Sequence, residues 1–222
     1  MTETETLTEA TRQQIDALSI TAGRPLIITD ADEVLFAFMA GLERYLNREG
    51  FSFDWSSFAI SGNVRRADGS VVPRDEVRGH LAIFFDRHTE ELDPVEDAAR
   101  VLLALSARAQ IVVLSNLPAA QGAARQRALV RHGMDYPLIV NEGLKGPAVR
   151  LLADRAAAPT VFIDDIPHNH ASVALAAPQV HRLHFVADPR LARLLPPADA
   201  SHHRADRWPE ARGFIEDRLF GG

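Results

Sequence analysis

The chain contains no cysteine. That excludes a disulfide framework, a thiol nucleophile and any thiolate metal cage, and makes a reducing compartment the plain expectation. No window approaches the ~18 consecutive apolar residues that a membrane span requires. The N-terminus, MTETETLTEA, is acidic and lacks both a basic start and an apolar core. No secretory signal is therefore expected, and the sequence reads as cytoplasmic, with no membrane partner. A basic stripe is missing as well. The 24 Lys and Arg are scattered among 30 Asp and Glu, for a formal net charge of −6, which argues against a nucleic-acid partner. Internal repeats and low-complexity tracts are also lacking.

What is present is an ordinary globular composition, 46% apolar and 24% charged over 222 residues. This is enough for one substantial domain, or one domain carrying an insertion. Leu7, Ile15 and Leu18 permit a short amphipathic helix after a polar start. Four short apolar runs follow, PLIITD at 25–30, IVVLSN at 111–116, PLIVN at 137–141 and TVFIDD at 160–165. They are apolar on both faces, as strands covered on both sides must be. VHRLHFVAD at 180–188 reads as a fifth strand.

Helical patterns lie between the runs. PVEDAARVLLALSARA at 94–109 starts behind Asp93 as a candidate N-cap, AAQGAARQRALVRHG at 119–133 ends at a glycine, and GPAVRLLADRA spans 146–156. Alternating strands and helices imply an α/β, doubly wound parallel sheet of about five strands with helices on both faces. Residues 36–92 break the alternation with an amphipathic helix ending near Gly50, a turn signal at Asp68-Gly69 and a second helical stretch. They read as an inserted cap, leaving 1–35 and 93–222 as the core domain. The polar, proline-flanked stretch 196–209 reads as a surface loop, and RGFIEDRLF as a closing helix.

Ligands of such sheets bind at the carboxyl ends of strands. Asp30, Asp32, Ser115, Lys145, Asp164 and Asp165 all fall there or beside it. Four carboxylates and one ammonium leave −3 in a shared cleft. Like charges a few ångströms apart cost several kcal/mol at an effective dielectric of about 20, and a divalent cation resolves the conflict. Hard oxygen donors without thiolate favour Mg²⁺.

In this order the residues resemble the four motifs of the haloacid dehalogenase-like hydrolase superfamily, over about residues 25–190. The first, D-x-D-x-[TV] after an apolar strand, is matched by Asp30-Ala31-Asp32-Glu33-Val34. Ser115 matches the second, Lys145 the third, and Asp164-Asp165 followed by Asn169 the fourth. The resemblance implies Asp30 as nucleophile and Asp32 as general acid and base. It implies phosphate contacts from Ser115, the adjoining Asn116 and Lys145. It also implies Mg²⁺ on Asp165, Asp30 and the Asp32 carbonyl, with Asp164 as a supporting or alternate ligand. Asn169 is expected to orient Asp165 or Lys145. Glu33 stands where a glycine is usual, a departure that bears on the hinge into the cap.

The implied activity is Mg²⁺-dependent removal of phosphate from a small phosphorylated metabolite through an aspartyl-phosphate. Asp32 argues against carbon–halogen cleavage, whose halide needs no proton, and the absence of lysine from 36–92 argues against phosphonate cleavage. A phosphomutase, and an idle binding protein retaining the fold, stay open. A receiver-type signalling domain is disfavoured by the order of the acids. His168 and His170 beside two aspartates could hold zinc or iron, but a spacing of two makes it hard for both to face one ion. Arg65, Arg66, Arg74 and Arg78 are candidate clamps for a substrate anion. Phe36, Phe38, Phe84 and Phe85 are expected to pack the cap and hinge. Oligomeric state is not legible.

Overall fold

The computed structural model describes residues 6–221. In chain order the elements are α1 (Glu9–Asp16), β1 (Leu26–Thr29), α2 (Phe38–Arg48), β2 (Ser52–Phe53), β3 (Val64–Arg65), α3 (Arg74–His88) and α4 (Ala98–Ser106). Then follow β4 (Gln110–Ser115), α5 (Gly122–Arg131), β5 (Leu138–Val140), α6 (Gly146–Ala156), β6 (Thr160–Asp164) and α7 (Pro167–Ala176). The chain closes with β7 (His181–Phe185), α8 (Pro189–Leu194), β8 (His203–Ala205) and α9 (Trp208–Phe220).

Six strands form one parallel sheet in the order β5-β4-β1-β6-β7-β8. The sheet buries both faces, which is why its strands are apolar throughout rather than alternating. Ile27, Val113 and Ile163 face α4, α5 and α9, whereas Leu26, Ile28, Val112 and Phe162 face α1, α6 and α7. Sequence reading and structure agree on the fold class, with one strand added. That strand, β8, lies inside the stretch read as a polar loop. It is short, sits at the sheet edge and buries only Ala205 of His203-Arg204-Ala205, so it carries none of the continuous apolar signal of the interior strands.

The helix expected behind Asp93 begins four residues later. Pro94 bridges to Phe36, and the Val95 N–H donates to the Leu35 carbonyl at 2.8 Å, which holds 93–95 extended against the hinge. Helix α4 starts only after Asp97, which takes a left-handed φ of 64°.

Residues 36–92 consist of α2, the β2–β3 hairpin, α3 and a 3-10 turn. The Asp68-Gly69 turn forms as the sequence suggested: Gly69 has φ 82°, and the Arg66 N–H donates to the Ser70 carbonyl at 2.9 Å. Phe38 meets Phe84 edge-on, with ring centroids 5.4 Å apart, and both join the same apolar cluster as Ile27 and Val113. Ion pairs tie the insertion to the sheet domain on two sides. Glu90 binds Arg127 (2.7 Å) and Arg131 (2.6 Å) of α5, while Glu43 of α2 binds Arg190 of α8 (2.6 Å), whose guanidinium lies 3.7 Å over the Trp55 ring.

Candidate active site

The register brings the sequence-predicted residues together. Thr29 is level with Val113 of β4 and Ile163 of β6, so one step beyond β1 Asp30 stands beside Asp164, and Ser115 ends β4 two residues past Val113. Lys145 immediately precedes α6, and α6 can bring it in because Gly146 lets the helix start lie against α7. The Gly146 N–H donates to Ser172 Oγ at 3.1 Å, and a Cβ at Gly146 would lie 2.5 Å from the Ser172 carbonyl oxygen.

Lys145 is the hub. Its Nζ donates to Asp164 Oδ2 at 2.7 Å and lies 2.8 Å from Asp30 Oδ1, with the whole side chain 1% exposed. Beyond this ion pair, Asp30 Oδ1 is buried with no hydrogen-bond donor among the described residues. Asp164 is fully committed, because its Oδ1 also accepts from the Ile166 N–H (2.9 Å) and from Asn169 Nδ2 (3.0 Å). Asn169 thus orients Asp164, not the Asp165 or Lys145 expected from sequence. Asp165 is buried too, yet its carboxylate has no hydrogen-bond partner among the described residues. Oxygens of Asp30, Asp164 and Asp165 lie within 4.8 Å of one another.

These charges strain the site electrostatically. Burial, reinforced by Asp164 and Asp32 and opposed by Lys145, pushes the Asp30 carboxyl up to about 7. Burial and the neighbouring Asp164, Asp30 and Glu33 raise Asp165 well above the usual carboxylate range. Burial alone would depress the Lys145 ammonium, but pairing with Asp164 and Asp30 outweighs it and lifts the group above its ordinary value.

Asp32 has a different partner from the rest of the cluster. Its Oδ1 accepts from Nη2 of Arg125 at 2.6 Å, a wholly buried guanidinium on α5 that the sequence reading passed over. Ser115 is fully buried and its Oγ has no hydrogen-bond partner among the described residues, a vacant hydroxyl at the strand end. Asn116 is exposed, and both ends of its amide are engaged: Nδ2 donates to the Gly143 carbonyl and Oδ1 accepts from Asn141 Nδ2, each at 2.8 Å. It ties the loop after β4 to the loop before Lys145.

Two histidines, His184 and the candidate metal ligand His170, support the acidic pair from behind. His184 Nδ1 accepts from the Ala198 N–H at 3.0 Å, so its proton is on Nε2, which donates to the Asp165 carbonyl at 3.0 Å. His170 Nε2 bonds the Asp164 carbonyl at 2.9 Å. His168 is exposed, and among the described residues no cluster of potential metal ligands includes either His168 or His170. The zinc or iron reading of that pair therefore has no geometry behind it.

Glu33, at the position where the sequence resemblance expects a glycine, adopts a backbone conformation that favours one. It has φ 60°, the left-handed region. Its buried carboxylate accepts from the Met39 N–H at 2.5 Å, in the first turn of α2, and from the Asp188 N–H at 3.3 Å, and burial pushes it up to about 7. It also lines a cleft of about 390 Å³ formed with residues 94–97, 187–189, Asp206, Arg207 and Pro209, beside the acidic cluster and not containing it. Among the arginines of the insertion, Arg65 pairs with Asp54 (2.8 Å), Arg66 with Glu76 (2.5 Å) and Arg78 with Asp75, so these three are satisfied within the insertion.

No family model matches the sequence, and no curated protein matches it. Solved structures do. A haloacid dehalogenase family hydrolase from Deinococcus radiodurans, with bound phosphate and sodium, superposes with a TM-score of 0.61 at 16% identity, over 89% of this chain and 97% of that one. This is the haloacid dehalogenase-like fold. A haloacid dehalogenase-like protein of Agrobacterium tumefaciens matches with a TM-score of 0.59 at 15% identity, over 87% and 98% of the two chains. A candidate beta-phosphoglucomutase from Thermotoga maritima matches at 0.54 and 13%, over 88% and 100%.

The donor set of this haloacid dehalogenase-like fold suits a hard divalent cation. It offers buried carboxylate oxygens, one of them with no contact beyond the Lys145 ion pair, an Asp32 carbonyl free of backbone hydrogen bonds among the described residues, and no sulfur. Asp30, Asp165 and the Asp32 carbonyl would hold it, with Asp164 behind them. No helix among the described residues is long and apolar enough to cross a membrane.

Proposed function

We propose that this chain is a phosphoric monoester hydrolase that removes phosphate from a small phosphorylated metabolite, dependent on Mg²⁺ and passing through a phosphoryl group on Asp30. The observation that carries the reading is the Lys145 bridge between Asp30 and Asp164, with a second carboxylate, Asp32, two residues from the first.

Asp30 attacks phosphorus. Its bond to phosphorus forms as the ester P–O bond breaks, and Asp32 gives its proton to the departing oxygen, which leaves as an alcohol. A water then attacks the phosphorus, Asp32 takes its proton, and inorganic phosphate leaves with Asp30 restored. Lys145 neutralises charge on Asp30 and on the phosphoryl oxygens, and the vacant Ser115 hydroxyl donates to one of those oxygens. Bound Mg²⁺ would supply positive charge that keeps Asp30 and Asp165 ionised and offsets charge on the phosphoryl group. On this reading the segment 36–92 serves as the cap, tied to the sheet domain by the ion pairs from Glu90 and Glu43. A roofed site selects small substrates.

The phosphate bound in the Deinococcus structure supports this reading. The likeness to the candidate mutase favours a second one, in which a substrate hydroxyl replaces water in the second step. The test is a phosphate-release screen across a phosphorylated-metabolite library with Mg²⁺, run beside Asp30→Asn. Phosphate release by the wild type and none by the variant is expected. Release by both removes Asp30 from the chemistry, and phosphoryl transfer without release favours the mutase.

A further inference from the structure

Arg125 is the only cation in contact with Asp32 among the described residues, and it is not a surface arginine. It lies on the apolar face of α5 with Ala128 and Leu129, with no exposure. Nη2 donates to Asp32 Oδ1 at 2.6 Å, Nε and Nη1 have no hydrogen-bond partner among the described residues, and the guanidinium carbon sits 4.9 Å from the centroid of Phe36. Taking a guanidinium out of water costs more than one hydrogen bond and one ring contact return. Leucine or methionine would fill this face of α5 without that cost. A buried charge kept against its own desolvation points to a use, and full burial rules out direct contact with a ligand. What remains is the group it touches.

We propose that Arg125 is a positioning residue for proton transfer, holding Asp32 in one rotamer with Oδ1 occupied and Oδ2 left as the oxygen that gives and takes the proton. This rests on the phosphatase reading. Arginine does not lose its proton, so an oxygen accepting from it at 2.6 Å has no room for a second proton in that direction. The transferable proton is thereby confined to Oδ2. When the Asp30–phosphorus bond forms and the ester bond breaks, that proton passes from Oδ2 to the leaving oxygen. The carboxylate so formed faces a fixed positive charge across a contact that already exists, so no solvent need reorganise. In the second step Oδ2 takes a proton from the attacking water, and Arg125 exchanges nothing.

The test uses two aryl esters of nearly the same shape, 4-nitrophenyl phosphate, whose leaving group departs without a proton, and phenyl phosphate, whose leaving group needs one. Both are measured as kcat/KM, which reports the step through ester cleavage. Arg125→Gln is expected to lower kcat/KM by about 10- to 100-fold on the phenyl ester and by no more than about 3-fold on the 4-nitrophenyl ester, with Arg125→Lys recovering part of the loss. In the Asp32→Asn background the same substitution is expected to add nothing, because the group it positions is gone. Parallel losses on the two esters, or losses that add fully to those of Asp32→Asn, would show a structural role and overturn the inference alone. A wild type inert toward both esters and the metabolite library overturns the phosphatase reading and the inference with it. Should Arg125→Gln fail to fold, Arg125→Lys is read by the same two ratios.

Discussion

Lys145 Nζ lies 2.8 Å from Asp30 Oδ1, and it is the only lysine in a chain that carries twenty-three arginines. The difference between the two cations is physical. A compact ammonium with three rotatable donors fits between Asp30 and Asp164, whereas a planar guanidinium has a fixed fork and greater volume. Lys145→Arg is expected to behave as a disruptive change, lowering kcat for phosphate release by about 100-fold or more, the scale seen when one charge-stabilising donor is lost. Steady-state kinetics checks this, and near-wild-type turnover would show that the site needs only a positive charge. Amine-reactive labelling gives an independent reading. Burial at 1% exposure should protect Lys145 in the native protein and expose it to labelling only on unfolding.

The raised carboxyls make stability depend on pH in a defined direction. Asp30 and Glu33 are each pushed up to about 7, and Asp165 is raised as well. The folded protein therefore holds protons that the unfolded chain has already released. For these groups stability is full below the ordinary carboxylate range and falls as pH rises toward 7. A cation that binds the ionised carboxylates reverses the loss. Mg²⁺ is expected to raise the Tm of EDTA-treated protein more at about pH 8 than at about pH 5, and metal binding near neutral pH should release protons. Equal Mg²⁺-induced shifts at both pH values would contradict the assignment.

Glu33 carries two opposed contributions that substitutions can separate. Its left-handed φ costs roughly 1 kcal/mol, while its carboxylate satisfies the Met39 and Asp188 N–H groups. Glu33→Ala keeps the strain and loses the hydrogen bonds. Glu33→Gly loses the same hydrogen bonds but relieves the strain. Alanine should thus destabilise more than glycine, by about 1 kcal/mol in urea unfolding. The opposite order would show that the backbone at this position is unstrained.

Gly146 tests how closely α6 and α7 must approach. A methyl group there would stand 2.5 Å from the Ser172 carbonyl oxygen and 2.8 Å from its carbonyl carbon, both backbone atoms that cannot rotate away. Gly146→Ala is expected to cost about 2 kcal/mol or more and to reduce kcat by displacing Lys145, its neighbour in sequence. Unchanged stability would mean that the two helices part without consequence.

Much of this was legible in the sequence because two signals reinforced one another. The interior strands are apolar on both faces, and the acids, Ser115 and Lys145 follow them in a fixed order, so the parallel register alone gathers the cluster. Strand β8 was not legible, since an edge strand needs only one buried face and His203-Arg204-Ala205 offers little to distinguish it from a loop. Arg125 was missed although a signal existed. It precedes Ala128 and Leu129 by three and four residues, which places it on the buried face of α5, whereas Arg127 and Arg131 lie on the face that meets Glu90. The roles of His170 and His184 depend on backbone carbonyls, and no side-chain motif encodes those. Asn169 bonds Asp164 and not the expected Asp165 or Lys145, because spacing cannot tell which neighbouring group turns toward it.

The most direct test of the account is covalent. Wild-type protein mixed with Mg²⁺ and 4-nitrophenyl phosphate, quenched in acid and digested, should yield the peptide containing Asp30 heavier by one phosphoryl group, with none in Asp30→Asn. A phosphoryl group found on another residue, or steady phosphate release with no covalent intermediate in the Asp32→Asn protein, where the second step is slowed, would contradict it.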